Sequence, residues 1–417
     1  MKRKILVILP TLPYPLSAGG NQAMYNGISA IKDNYDVTVV YLEYYNKSAT
    51  QNRLALQKKW GNVQIIPFVY NHRNGLYKLY NWFVDKIAKI AKVDRSPDFK
   101  ADQMKAHFRP AYNEYEIFVN NLIKEQDFDL VQLEMIPCLP FVLSLPKEIK
   151  KVFVHHELRF VVNELQLDEM GKSLYQKANL EYAKILEIGM LNKCDAIITL
   201  SKVDKEKLIE EGVSSPVYTS FACIDSIASE SVIKNLPKYR KTLSFVGPFH
   251  HRPNYMGLLW FLENCWEKLL RENGEYQLNV VGRWPDSVIH RLTSKYCNLY
   301  FLGFVDKLEN ALNGSTMIVP ITVGSGIRMK ILEAASLGVP FVSTRVGCEG
   351  LPFENGRDCF IADSPDDFVD DIKKLSDSDV RQSFAKNAYE LVKEAYSVSA
   401  LEKNRMDVYS HVLQESL

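Results

Sequence analysis

Two cations, Arg328 and Lys330, follow the glycine-flanked serine of Gly324-Ser325-Gly326-Ile327-Arg328-Met329-Lys330. Both fall in the first turn of a predicted helix, Arg328 to Leu337, whose Ile331, Leu332 and Ala335 share one face. A helix N-terminus already concentrates positive partial charge, and sequences usually place Asp or Glu there. An anion relieves that conflict. A glycine loop entering a helix offers unpaired backbone N–H groups, and the two cations complete a pocket suited to a pyrophosphate. The plainer alternative is an ordinary βαβ crossover in which Lys330 and Glu333 form a weak i,i+3 surface pair.

Two short apolar runs must hold this loop in place. Met317 to Ile321 and Pro340 to Thr344 read as buried strands, and Gly338 and Pro340 stand where helices stop. The unit is strand, glycine loop, helix, strand.

The segment GSGIRMKILEAASLGVPFVST, with GCEGL close behind it, resembles the donor-site signature of glycosyltransferase family 4, retaining enzymes of the GT-B fold. The family's Glu-x7-Glu motif places its second Glu at Glu333, which the resemblance assigns to the ribose hydroxyls of a nucleotide sugar. The first Glu falls at Ser325, a departure that sets this chain with a bacterial branch whose loop reads glycine, small residue, glycine, then Arg-x-Lys.

The fold class implied is α/β, GT-B, with two facing Rossmann-like doubly wound domains and an interdomain cleft. The activity implied is retaining transfer of a sugar from a UDP- or GDP-sugar to a glycan or lipid-linked acceptor, in cell-surface polysaccharide synthesis. Arg328 and Lys330 then stabilise the departing diphosphate, a role that needs no metal and no cofactor. Gly324, Ser325, Gly326, Ile327 and Glu333 line the donor.

The same pattern organises both halves. Ile5 to Leu9 is a strand, followed by a loop from Pro10 to Gly20 with three prolines and the Gly19-Gly20 pair, then a helix from about Asn21 to Lys32. That loop is too long and proline-rich for the Gly-x-Gly-x-x-Gly turn of a dehydrogenase. By resemblance Gly19 and Gly20 lie near the donor phosphates and the acceptor, the plainer reading being a turn before a helix. Lys151 to Val154 is a strand that delivers His155 and His156, and parallel sheets place binding groups at strand carboxyl ends. The family puts a histidine here facing the transferred sugar. Side chains alternate along a strand, so the two rings are expected on opposite sides, and the sequence leaves open which one is functional.

In the second half, Leu243 to Val246 leads to Gly247, and Arg252 precedes a helix that begins near Asn254. Commoner family members hold the pyrophosphate here with an Arg and a Lys, so Arg328 and Lys330 carry more of that load in this chain. Phe304 and Val305 match the family's base-binding segment. The expected domains are 1–220, a linker over 221–239, and 240–398, with a last helix of about 399–417 crossing back to the first domain.

Composition bounds the rest. The chain has 417 residues, a formal charge of +1, 47% hydrophobic and 24% charged residues. That length suits two domains of roughly 200 residues. Near-neutral charge argues against nucleic acid as a partner. Seven scattered cysteines, none in Cys-x2-Cys spacing, read as reduced thiols of a cytoplasmic protein. No run approaches the ~20 apolar residues of a membrane span, and Lys4 to Leu9 is too short for a leader core. From Arg73 to Arg109 there are nine Lys or Arg against four Asp, with Leu76, Leu79, Tyr80, Phe83, Ile87 and Ile90 on one helical stripe. Such a helix suits peripheral contact with the inner face of an anionic membrane, or the core face of a packed helix. Two Asp-x-Asp triplets, Asp127 to Asp129 and Asp377 to Asp379, stand away from strand carboxyl ends and read as surface acids, so no metal site is expected. Rival readings are a nucleotide-sugar epimerase or hydrolase of the same fold, and a catalytically weak sugar-nucleotide-binding scaffold.

Overall fold

The computed structural model describes residues 2–16, 19–44, 48–70, 113–168, 174–224, 227–272, 274–324 and 326–414. These form two compact units, Met1–Ser220 with Glu402–Leu417, and Phe221–Leu401.

The first unit is built on seven parallel strands: β1 (Lys4–Leu9), β2 (Asp36–Tyr44), β3 (Gln64–Tyr70), β4 (Leu130–Glu134), β5 (Lys150–His155), β6 (Ala196–Thr199) and β7 (Val217–Thr219). Their order is β3-β2-β1-β4-β5-β6-β7. Every residue of β4 and β6 is buried, as a parallel sheet with helices on both faces requires. The chain winds outward from β1 to β3, then restarts beside β1 with Ile8 opposite Leu133. At that reversal a doubly wound sheet opens a crevice beyond its strand carboxyl ends. Tyr115, Val119 and Leu122 of the helix Asn113–Glu125 pack with Leu133, Phe141 and Phe153 in the main core of the unit. The last helix, Val398–Leu413, contributes Tyr409 and Arg405, which are 0% and 2% exposed.

The second unit repeats the plan with β8 (Thr242–Val246), β9 (Gln277–Val281), β10 (Leu299–Gly303), β11 (Ser315–Val319), β12 (Phe341–Ser343) and β13 (Phe360–Ile361). Their order is β10-β9-β8-β11-β12-β13, so the reversal lies between β8 and β11. The helix Met329–Ser336 crosses from β11 to β12 and buries Ile331, Leu332, Ala334 and Ala335. Each of the two larger side chains contributes roughly 2 kcal/mol by leaving water. Gly338 ends this helix in the left-handed region, at φ +67. Its N–H bonds Ala335 O while Val339 N bonds Ala334 O, so the last carbonyls are satisfied.

Two expectations change. Residues 221–239 are not a free linker: they carry a short helix, Glu230–Lys234, and bury Ile224 and Ile233 within the second unit. Five residues are too few to show a helical period, which is why that turn escaped pattern reading. Pro320 and Ile321 lie beyond the end of β11, and β13, at two residues, is too short to signal itself.

Candidate functional site

The second unit's reversal brings together the loops that leave β8 and β11. Gly247 follows β8 and must be glycine for a packing reason: a Cβ there would lie 2.5 Å from Cγ of Asn254. Asn254, 4% exposed, donates Nδ2 to Pro248 O at 3.1 Å. Its Oδ1 accepts from Lys330 Nζ at 2.8 Å. The same ammonium lies 5.1 Å over the ring of Phe245. Burial, and then the positive charge of Arg328, push Lys330 down to about 7, with Glu333 acting in the opposite direction. A lysine so placed gains strongly from a bound anion, which restores the favourable field that water no longer supplies.

Arg328 is the residue just before the helix Met329–Ser336 and is 8% exposed. Its Nη1 donates to Gly326 O, which folds the loop over the guanidinium. Gly324 has φ +122, and a Cβ on it would stand 3.1 Å from Arg328 Nη2 and 3.3 Å from Pro253 Cγ. Gly326 is also left-handed, at φ +86. Ile327 packs on the buried cluster that holds Ile331 and Phe341. The structure therefore brings Gly247, Gly324, Gly326, Ile327, Arg328 and Lys330 to one corner of the unit. Ser325 lies outside the described residues.

Arg252 is placed differently from expectation. It is the exposed first residue of the helix Arg252–Phe261, not part of a preceding loop. Pro253, at the second helical position, explains the earlier start, because its missing N–H has no intrahelical partner there. Phe304 and Val305 follow β10. Phe304 is 56% exposed, and the Arg283 guanidinium lies 5.4 Å over its ring. An exposed aromatic face of this kind can stack on a base.

The two histidines of the first unit part company. His155 Nε2 lies 2.9 Å from Glu187 Oε1, with both side chains fully buried. Glu187 also accepts from Arg159 N and Phe160 N, so it closes the N-terminus of the helix Arg159–Asp168. That arrangement ties the His155 ring to a helix N-terminus. His156 Nε2 instead lies 2.6 Å from Glu134 Oε2, at the carboxyl end of β4. Gly19 and Gly20 are corrected too: the helix Gly19–Ser29 includes them. Their N–H groups fall in the first turn, where glycine interrupts no completed helical bond, and a Cβ on Gly20 would be 3.4 Å from Met135 Cε. Asp129 bonds Arg3 Nη1 and Lys4 N, and Asp377 caps the helix Ser378–Ala395. The basic stripe of Arg73 to Arg109 lies outside the described residues. No helix of the described residues is long and apolar enough to cross a membrane.

Sequence reading missed Asn254, Glu134 and Glu187. Asn254 left one signal, a polar residue at the buried start of a helix following a strand and Gly247. The partnership of Glu134 with His156 left none beyond its place at a strand's carboxyl end.

Two doubly wound parallel sheets, each with its reversal, define the GT-B fold. Residues 240–378, within the second unit, match the family described as Glycosyl transferases group 1. Over 409 residues the chain is 23% identical to an uncharacterized 44.6 kDa protein in the cps region of Klebsiella pneumoniae, covering 94% of this chain and 96% of that one. Among solved structures it resembles TarM of S. aureus, at TM-score 0.70, 12% identity and 99% coverage of both chains. It also resembles Anabaena HepE in complex with UDP and glucose, at TM-score 0.66 and 12% identity, covering 98% of this chain and 100% of that one. Sucrose-phosphate synthase from Thermosynechococcus elongatus is similar at TM-score 0.69 and 13% identity over the whole of both chains.

Proposed function

We propose that this protein is a retaining glycosyltransferase that moves a hexosyl group from a UDP- or GDP-sugar to a glycan or lipid-linked acceptor. The observation that carries the reading is the buried ammonium of Lys330, held by the neutral amide of Asn254 at a sheet reversal and beside Arg328. In the reaction the bond from the anomeric carbon to the diphosphate breaks, a bond to an acceptor hydroxyl oxygen forms, and the hydroxyl proton passes to the departing diphosphate. Negative charge grows on the diphosphate as the first bond breaks. Arg328 and Lys330 stabilise that charge more in the transition state than in the bound donor, which is the condition for catalysis. Glu333 binds the ribose, and Phe304 with Val305 meets the base.

Three relatives support the reading: HepE, whose structure holds UDP and glucose; TarM, solved with UDP and glycan ligands; and the Klebsiella protein of the cps region. The last supports a role in cell-surface polysaccharide synthesis. A thermal-shift screen with UDP, GDP, ADP and dTDP tests the donor assignment. A nucleotide at about 100 times its dissociation constant adds roughly 2.7 kcal/mol to stability. One of the first two should raise the melting temperature. A flat response to all four overturns the reading.

A further inference from the structure

Four side chains of the first unit, three of them buried, form one hydrogen-bonded line. Tyr409, on the last helix, donates its hydroxyl to Gln132 Oε1. Gln132 Nε2 donates to Glu134 Oε1 at 2.5 Å. Glu134 Oε2 lies 2.6 Å from His156 Nε2. Gln132 and Glu134 are two apart on β4, so their side chains share a face. Tyr409, Gln132 and Glu134 are each at most 1% exposed.

The chemistry of the groups sets the direction of every bond. An ionised carboxylate only accepts, so Gln132 must turn its amide nitrogen to Glu134 and its carbonyl to Tyr409, which must donate. The remaining carboxylate oxygen then requires a proton on His156 Nε2. The other ring nitrogen, Nδ1, is buried and has no hydrogen-bond partner among the described residues; the same is true of Nδ1 of His155, but the His156 side chain is 7% exposed where that of His155 is 0%. A buried nitrogen of this kind is costly unless something bonds it. Arg405, whose charge reaches Tyr409, supplies positive potential at the far end of the line.

We infer that Tyr409, Gln132 and Glu134 are positioning residues that fix His156 as the Nε2–H tautomer and leave Nδ1 to accept a hydrogen bond from a sugar hydroxyl. With Glu134 ionised, the proton on Nε2 follows from the line alone. The identity of the hydroxyl compound rests on the glycosyltransferase reading.

Nitrogen-15 histidine spectra of the full chain test the first part, with His156 assigned by loss of its signals in His156→Asn. Wild type should show Nε2 protonated and Nδ1 bare, and Glu134→Leu should show both tautomers in exchange. Protonation at Nδ1 in wild type overturns the inference whether or not any sugar is transferred. Turnover tests the second part. Glu134→Leu and His156→Asn should each lower kcat about 100-fold, the scale expected of a misplaced group, with KM for the nucleotide sugar within threefold. The double variant should be no slower than His156→Asn. Multiplying losses, or full turnover by His156→Asn while Arg328→Ala is inactive, sinks the positioning role and leaves the enzyme reading intact. If Glu134→Leu proves unfolded, Tyr409→Phe gives the same comparison, with a smaller loss that must also vanish in the His156→Asn background.

Discussion

Lys330 and Asn254 stand 76 positions apart in sequence, yet the lysine ammonium donates to the asparagine Oδ1 at 2.8 Å. The cation is thus held by a group that orients it without neutralising it. Asn254→Asp would replace that amide with a carboxylate and occupy the charge that a diphosphate would otherwise meet. Calorimetric affinity for the nucleotide should fall at least tenfold, on the scale of a close charge pair. Unchanged affinity would remove Lys330 from the anion site.

The same lysine makes binding depend on pH. Its native value of about 7 lies below the ordinary 10.5. Above pH 10.5 the native and unfolded forms are both neutral, and below 7 both are protonated. Between these values the unfolded chain holds a proton that the native protein has released, so this group's contribution to stability rises with pH. A bound diphosphate holds the proton on Lys330. Nucleotide-sugar affinity should therefore fall as pH rises from 7 to 9, by at most about tenfold per pH unit. At pH 8 the binding enthalpy should differ between phosphate and Tris buffers, the mark of proton uptake. Equal enthalpies in the two buffers would rule this out.

Arg328→Ala should cut turnover by about 10²–10³-fold, the usual loss of a transition-state charge partner, while the melting temperature moves little. Arg328→Lys should not restore it, because an ammonium lacks the planar fork by which one guanidinium nitrogen holds Gly326 O while another faces a phosphate. Activity that survives in the alanine variant would show that the loop has some other purpose.

Phe304 is exposed and contributes little to the core. Phe304→Ala should raise KM for the nucleotide sugar about tenfold, with kcat nearly unchanged and stability intact. A base stacked equally in ground and transition states contributes uniform binding. A fall in kcat with constant KM would place the base elsewhere.

The histidine pair gives a contrast in kind. His155→Ala should lower stability by roughly 3 kcal/mol, since it strips a buried carboxylate of a partner. Denaturant titration measures this directly. An effect on turnover with no loss of stability would reverse the assignment of the two rings.

Much of the fold was legible because parallel strands buried on both faces read as unbroken apolar runs, and Ile5 to Leu9 of β1 and Val152 to Val154 of β5 do so. Gly338 marked a helix end because only glycine takes φ +67 at no steric expense. The corner of Gly324, Arg328 and Lys330 was legible because its charges oppose the helix dipole within a few residues. Asn254 and Glu134 were not, since their meaning lies in partners reached only when distant strands pair. Periodicity reports which face of an element is buried and carries nothing about the residue across the gap. Which of His155 and His156 meets a carboxylate from β4, and which one from the helix Leu174–Leu191, is likewise settled by packing alone.

The first unit is made from both ends of the chain, with Phe221–Leu401 interposed as a continuous stretch. During synthesis the interposed unit leaves the ribosome ahead of Arg405 and Tyr409, for which its neighbour must wait. Gln132 therefore has no Tyr409 hydroxyl to bond until the interposed unit has been made. A nascent chain stalled between Leu401 and Tyr409 would hold one finished unit and one unfinished, so a stop there removes the end of the histidine line and spares the cationic corner.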